Sequence, residues 1–217
     1  MRALRGPEVA PADGRSPQFL VILLHGVGAD GADLIDLAPM LQRYVPHAAF
    51  VAPNGPERCD MAPMGYQWFS LRDRRPEALL AGVQAVRADL DAFIDAELQA
   101  RSLPASACAI VGFSQGTMTA LHVVPRRTDS VAALVGFSGA LVGPERLAGE
   151  VRSKPPILLI HGEADEIVPA GSLFAARDAL ESAEFAVQWQ IRPRLGHGID
   201  PDGIDHAGRF LRAALTT

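Results

Sequence analysis

Gly112-Phe113-Ser114-Gln115-Gly116 decides the reading of this chain, because it sets a serine between two glycines where the apolar run 107–111 meets a segment of helical pattern, 115–124. A strand that turns sharply into a helix with a hydroxyl at the bend is what a nucleophile elbow requires. A neutral serine is a poor nucleophile, and its oxygen has to stand out where a histidine can reach it. Glycine on either side removes the β-carbons that such a turn would drive into its neighbours. The same five residues also fit a plain glycine-rich turn, so the surrounding sequence has to decide.

In both directions from this turn, short apolar runs alternate with longer amphipathic ones. Runs 19–24, 48–52, 107–111, 131–137, 157–160 and 185–191 are rich in Val, Ile, Leu and Ala, which suits strands covered on both faces. Segments 33–43, 77–101, 115–124, 171–182 and 201–214 read as helices. In the second of these, Leu79, Val83, Val86, Leu90, Phe93, Ile94 and Leu98 recur at three- and four-residue spacing and form one stripe. Asp200 and Pro201 supply an N-cap and a first helical residue for the last. The alternation predicts an α/β fold, a mostly parallel central sheet flanked by helices on both faces. With 217 residues, the chain is expected to form one domain over 18–217 behind a flexible or partly ordered lead, 1–17, that shows no convincing strand.

A net charge of −5, with the arginine clusters scattered over different loops, argues against a nucleic-acid partner. No stretch approaches the ~20 apolar residues of a membrane span, and the lead lacks the apolar centre of a signal peptide. The expectation is a cytoplasmic protein without stable membrane insertion. Cys59 and Cys108 match neither a disulfide framework nor a zinc spacing, and no histidine has a partner at metal-ligand spacing, so no metal is expected.

The connection 53–76 is longer than compact domains use without a functional reason, and it carries Met61, Met64, Tyr66, Trp68, Phe69 and Leu71. It reads either as a wall or small lid over an apolar substrate site or as an Ω-loop packed on its own core. A second motif competes with the serine turn. Gly26-Val27-Gly28-Ala29-Asp30-Gly31 is a literal G-x-G-x-x-G between a strand and a helix, the pattern of a dinucleotide site. Such a site also wants an acid at the end of the next strand, where this chain has Val51-Ala52-Pro53-Asn54-Gly55. His25 before the first glycine points instead to the His-Gly turn of hydrolases, where a backbone N–H serves an oxyanion hole.

Ligand groups of a doubly wound sheet gather at the carboxyl ends of its strands. After 157–160 comes His161-Gly162-Glu163-Ala164-Asp165-Glu166-Ile167-Val168-Pro169, and after 185–191 comes Leu195-Gly196-His197-Gly198. Ser114, Asp165 and His197 then follow the Ser…Asp…His order of α/β-hydrolases, with Glu163 and Glu166 as rival acids. In that reading His197 takes the proton of Ser114, Asp165 holds the imidazole, and the backbone N–H groups of Val27 and Gln115 meet the oxyanion. Met61, Met64, Trp68, Phe69, Leu71, Ile167 and Val168 are the candidate substrate contacts. A catalytically silent binding module for an apolar ligand is the alternative of a different class.

These pieces resemble the phospholipase/carboxylesterase family of α/β-hydrolases, which includes bacterial carboxylesterases and acyl-protein thioesterases. The similarity runs through Leu23-Leu24-His25-Gly26-Val27-Gly28-Ala29-Asp30, Ala52-Pro53-Asn54, Trp68-Phe69, Gly112 to Gly116, Phe137-Ser138-Gly139, His161-Gly162 with Asp165 and Val168-Pro169, and Gly196-His197-Gly198. It implies a compact hydrolase without a large cap domain, no cofactor, carboxylic ester or thioester substrates and often a homodimer. Members that depalmitoylate proteins usually continue Trp-Phe with Asp; Ser70 stands here, which weakens the case for a lipidated-protein substrate.

Overall fold

A computed structural model of the chain describes residues 2–216; Met1 and Thr217, the outer bounds of the expected lead and domain, lie outside the described residues. In chain order the elements are β1 (Glu8–Val9), β2 (Phe19–Leu24), α1 (Gly31–Leu34), α2 (Ala38–Leu41), β3 (Ala48–Val51), β4 (Glu57–Arg58), β5 (Tyr66–Gln67) and α3 (Pro76–Arg101). There follow β6 (Cys108–Phe113), α4 (Gln115–Val123), β7 (Ala133–Phe137), α5 (Pro144–Glu150), β8 (Ile157–Gly162), α6 (Gly171–Ser182), β9 (Val187–Arg192) and α7 (Pro201–Leu215). Across the main sheet the order is β1-β3-β2-β6-β7-β8-β9, parallel throughout except for β1 against β3.

Alternate residues of the central strands face opposite sides, as the two-residue period of a strand dictates. Leu20, Ile22, Leu24 and Ile110 pack with α3, α4 and α6, while Val21, Leu23, Val111 and Val135 pack with α2 and α7. Register then sets the site. Leu24 is level with Gly112, Phe113 with Phe137, and Phe137 with Ile160, so His25, Ser114, Ser138 and His161 emerge along one carboxyl edge.

Several expected elements are altered. Segment 33–43 is not one helix: α1 gives way to a 3₁₀ turn over Ile35–Leu37 before α2. Pro39 is the cause, since it has no N–H to offer Ile35 and its ring would strike that carbonyl, a penalty of about 3 kcal/mol within a continuous helix. The strand expected over 131–137 begins at Ala133, and the one over 185–191 is Val187–Arg192. The lead carries β1, buries Leu4, and ties Arg2 to Asp89 at 2.8 Å and to Glu57 at 2.7 Å. Among the described residues no helix is long and apolar enough to cross a membrane.

Candidate active site

Ser114 leaves the end of β6 at φ +54° and ψ −115°, a conformation that a residue with a β-carbon rarely adopts, and becomes the N-cap of α4. The turn closes because its flanking glycines lack side chains. A β-carbon on Gly112 would lie 2.6 Å from the amide nitrogen of Thr117, and one on Gly116 would lie 1.9 Å from the carbonyl oxygen of Leu24. Its backbone is held by the Ser114 N–H donating to the Phe137 carbonyl at 2.9 Å and by its own carbonyl accepting from Met118 at 3.1 Å.

His197 reaches this hydroxyl from the loop after β9, with Nε2 3.0 Å from Ser114 Oγ. Its other nitrogen, Nδ1, lies 2.8 Å from Oδ2 of Asp165 in the loop after β8. Asp165 is fixed in turn, because Oδ1 accepts from the amides of Ile167 and Val168, each at 2.9 Å. Burial acts to raise the Asp165 pKa, and the bonds from His197 and from the Val168 and Ile167 amides outweigh it, leaving the carboxyl below the ordinary aspartate value. An ionised Asp165 holds the proton of the imidazole on Nδ1 and leaves the Nε2 lone pair facing the serine. Glu163 and Glu166, the rival acids, are both exposed. Asp200 instead caps α7 and pairs with Arg192 at 2.9 Å.

Two buried histidines support the site, His25 beside the Val27 amide singled out from sequence and His161 beside the acid. The His25 Nδ1 lies 2.7 Å from the Gly26 carbonyl oxygen, and its Nε2 accepts from the Gly55 amide at 2.8 Å. Burial pushes the His25 pKa down, against the opposing bond to Gly26 and the charges of Asp30 and Asp33, which favours the neutral ring that this pattern needs. The Gly26 carbonyl belongs to the same peptide as the Val27 N–H; holding one turns the other the opposite way. Gln115 anchors the second amide, since its side chain accepts from the Trp68 N–H at 2.9 Å and donates to the Phe69 carbonyl at 2.6 Å. The Trp68 indole donates to the His25 carbonyl at 2.9 Å. Among the described residues neither the Val27 nor the Gln115 N–H has a protein acceptor. The second histidine, His161, has its Nε2 2.8 Å from the Val168 carbonyl and 3.2 Å from Asp165 Oδ2, so it braces the acid from below.

A cavity of about 220 Å³ opens at Ser114. Leu71, Ile167 and Val168 line it, as the sequence suggested, together with Val27, expected only as an oxyanion donor, and with Arg74, Leu79, Met118, Ala140, Pro169 and Ser172, which the sequence did not mark. Met118 had a readable signal: it stands four residues after Ser114 on α4 and therefore on the same helical face. A second cavity of about 390 Å³ shares Leu79, Met118 and Ala140 with the first. Met61, Met64, Trp68 and Phe69 do not line the cavity at Ser114. Trp68 and Phe69 are buried in the core, and Met61 and Met64 are 51% and 78% exposed at the loop tip. The β4–β5 hairpin folds the loop back on itself, and Gly65 at φ +82° lets it press against Gly28, whose carbonyl oxygen a β-carbon would approach to 2.0 Å.

The dinucleotide reading fails in the same turn. The amides needed to cradle a pyrophosphate are occupied, Gly28 by the Tyr66 carbonyl, Ala29 by Gly26 and Gly31 by the Asn54 side chain, and α1 has only four residues.

Sheet order and the strand–elbow–helix unit place the protein in the α/β-hydrolase class. The chain belongs to the phospholipase/carboxylesterase family, whose model matches residues 5–215, and it is an ester-cleaving hydrolase. Esterase YpfH of Escherichia coli is 28% identical over 207 residues, covering 95% of this chain and 88% of that protein. Acyl-protein thioesterase 1 homolog 1 of Dictyostelium discoideum is 27% identical over 203 residues, 90% of each chain. The crystal structure of esterase PE8 is 40% identical, covers 98% of this chain and all of its own, and superposes with a TM-score of 0.93.

Proposed function

We propose that the chain, lead included since β1 belongs to the main sheet, acts as one catalytic domain that hydrolyses carboxylic esters of short to medium acyl chains through Ser114, His197 and Asp165. The observation that carries the reading is the continuous relay from Asp165 to His197 to Ser114, at 2.8 and 3.0 Å, ending at the mouth of an apolar cavity. His197 Nε2 takes the Ser114 proton as Oγ bonds to the acyl carbon, and the imidazolium is balanced by Asp165. The carbonyl oxygen becomes an oxyanion held by the Val27 and Gln115 N–H groups, the latter at a helix N-terminus where the dipole favours negative charge. Collapse gives the His197 proton to the leaving alkoxide and leaves an acyl-Ser114 ester. Water then repeats the cycle, with His197 accepting its proton, and releases the acid.

The cavity of about 220 Å³ at Ser114 adjoins one of about 390 Å³ across Leu79, Met118 and Ala140, and its mostly apolar lining suits the acyl chain of the ester. Thioesters use the same chemistry with a better leaving group and belong within this reading.

The test is covalent labelling. A fluorophosphonate should modify Ser114 stoichiometrically, located by peptide mass spectrometry, and the adduct should vanish in His197→Ala. Ser114→Ala should lower hydrolysis of an activated ester by on the order of 10³ or more with the fold retained. A folded protein that takes no label, or a Ser114→Ala variant of near-normal rate, would leave a silent binding module as the better description.

A further inference from the structure

Among the described residues that line the cavity at Ser114, Arg74 alone carries a charge. It stands in the run Arg72-Asp73-Arg74-Arg75, where the other two arginines are neutralised locally. Arg72 pairs with Asp60 at 3.4 Å, and Arg75 pairs with Asp73 at 2.6 Å. Arg74 directs only Nε at a protein acceptor, the Leu71 carbonyl at 3.4 Å, and no carboxylate pairs with it among the described residues. Both of its Nη groups are left free on an exposed side chain at the mouth of the cavity.

A cation in this place has no task in the cleavage of a neutral ester. Ser114, His197, Asp165 and two backbone amides account for that reaction, and Leu71, Leu79, Met118 and Ile167 give the cavity apolar walls. An anionic ester meets a harder problem. Asp165 is held ionised, attack by Ser114 adds an oxyanion, and the chain as a whole carries a net charge of −5, so a further negative charge is repelled unless a cation offsets it. A guanidinium stays charged at every working pH, and its planar fork of N–H groups matches a carboxylate.

We propose that Arg74 selects esters carrying a carboxylate a short chain away from the scissile carbonyl, bound by its Nη groups while that carbonyl sits at Ser114; the inference rests on the ester-hydrolase reading above. One guanidinium balances one charge, which favours a carboxylate over a phosphate dianion, for which the cavity holds no second cation. Ser172 lines the same cavity with a hydroxyl that has no partner among the described residues, a second donor available to such a group. The carboxylate belongs either to the acyl side, as in a half-ester of a dicarboxylic acid, or to the alcohol side, as in an acylated hydroxy acid.

Two pairs of esters matched in shape read the proposal on the full chain, by proton release in a pH-stat. Monoethyl succinate and ethyl 4-methylpentanoate differ by a carboxylate against an isopropyl group on the acyl side. Acetoxyacetate and isobutyl acetate differ in the same way on the alcohol side. For at least one pair, the kcat/KM ratio of charged to neutral ester should be about 10-fold larger in wild type than in Arg74→Met, chiefly through KM, with Arg74→Lys in between. The pair that responds shows which side of the ester carries the carboxylate. Arg75→Met removes the same charge one residue away and should shift neither ratio by more than about twofold. A side chain that only supported the loop would change all four rates alike and leave the ratios where they were. Equal ratios in wild type and Arg74→Met for both pairs, or an equal shift in Arg75→Met, overturn the proposal while the neutral esters still report on Ser114. A folded wild type that cleaves none of the four and takes no fluorophosphonate removes the ester reading and this inference with it.

Discussion

Gly116→Ala is the substitution whose outcome the geometry constrains most tightly. The new β-carbon would stand 1.9 Å from the Leu24 carbonyl oxygen and 2.8 Å from that of His25, both backbone atoms of buried residues where β2 ends. Contacts of this kind do not fall below 3.0 Å, so α4 has to retreat from β2 by about 1.1 Å. Ser114 is the N-cap of that helix, and its Oγ sits 3.0 Å from His197 Nε2, so the retreat carries both Oγ and the Gln115 N–H out of position. A misplacement of ~1 Å typically costs about 10²-fold in rate. Overpacking of this type costs about 1–3 kcal/mol, equivalent to roughly 2–12 °C in Tm for a chain of this length. Steady-state hydrolysis of an activated acetate ester and a thermal melt measure the two effects together. Gly149→Ala is the control, because its β-carbon meets nothing within 4 Å and it lies in α5. A Gly116→Ala enzyme within about threefold of wild-type kcat/KM and with unchanged Tm would refute the steric argument and the positioning of Ser114 built on it.

His25→Phe keeps an aromatic ring of similar bulk but releases the Gly26 carbonyl and leaves the Gly55 N–H without its acceptor. It should lower kcat by about 10-fold to 100-fold with little change in KM, and cost about 1–3 kcal/mol in urea unfolding; an unchanged kcat would show that the Val27 peptide needs no such anchor. Burial first, and then the Arg126 charge, push the buried His122 down to about 4 from 6.5. Since the unfolded chain binds the proton more readily, this neutral ring contributes fully above pH ~6.5 and its contribution is lost as pH falls to ~4, an effect of about 3 kcal/mol. His122→Met should therefore lose less stability than wild type between pH ~7 and ~4.5, and parallel urea titrations with identical losses would contradict the assignment.

Strand ends and turn chemistry made much of the molecule readable from sequence. The serine turn, the loop after β8 and the loop after β9 each follow an apolar run, so the order of Ser114, Asp165 and His197 translates directly into three groups on one carboxyl edge. Pairwise steric detail was less accessible. Pro39 sits inside a stretch with good helical spacing, and only its missing N–H reveals the break. Helix α5 buries just Leu147, too little for a periodic signal, and β4 and β5 have two residues each. Loop 53–76 misled for a physical reason: apolar residues at a site and apolar residues in a core have the same composition, and the choice for Trp68 and Phe69 was made by hydrogen bonds to Gln115 and His25 that no local pattern encodes.

That loop divides labour along its length. Residues 66–69 are clamped to the start of α4 and to the His25 turn, whereas the tip around Met61 and Met64 stands in solvent with no part in the relay. Change at the exposed tip leaves the reaction centre alone, because the clamp and not the tip touches the turns that carry it. For anyone breeding new selectivity into this protein, Leu71 and Arg74, which follow the clamp and line the Ser114 cavity, are the positions to randomise, and the Trp68-Phe69 clamp is the place to leave alone.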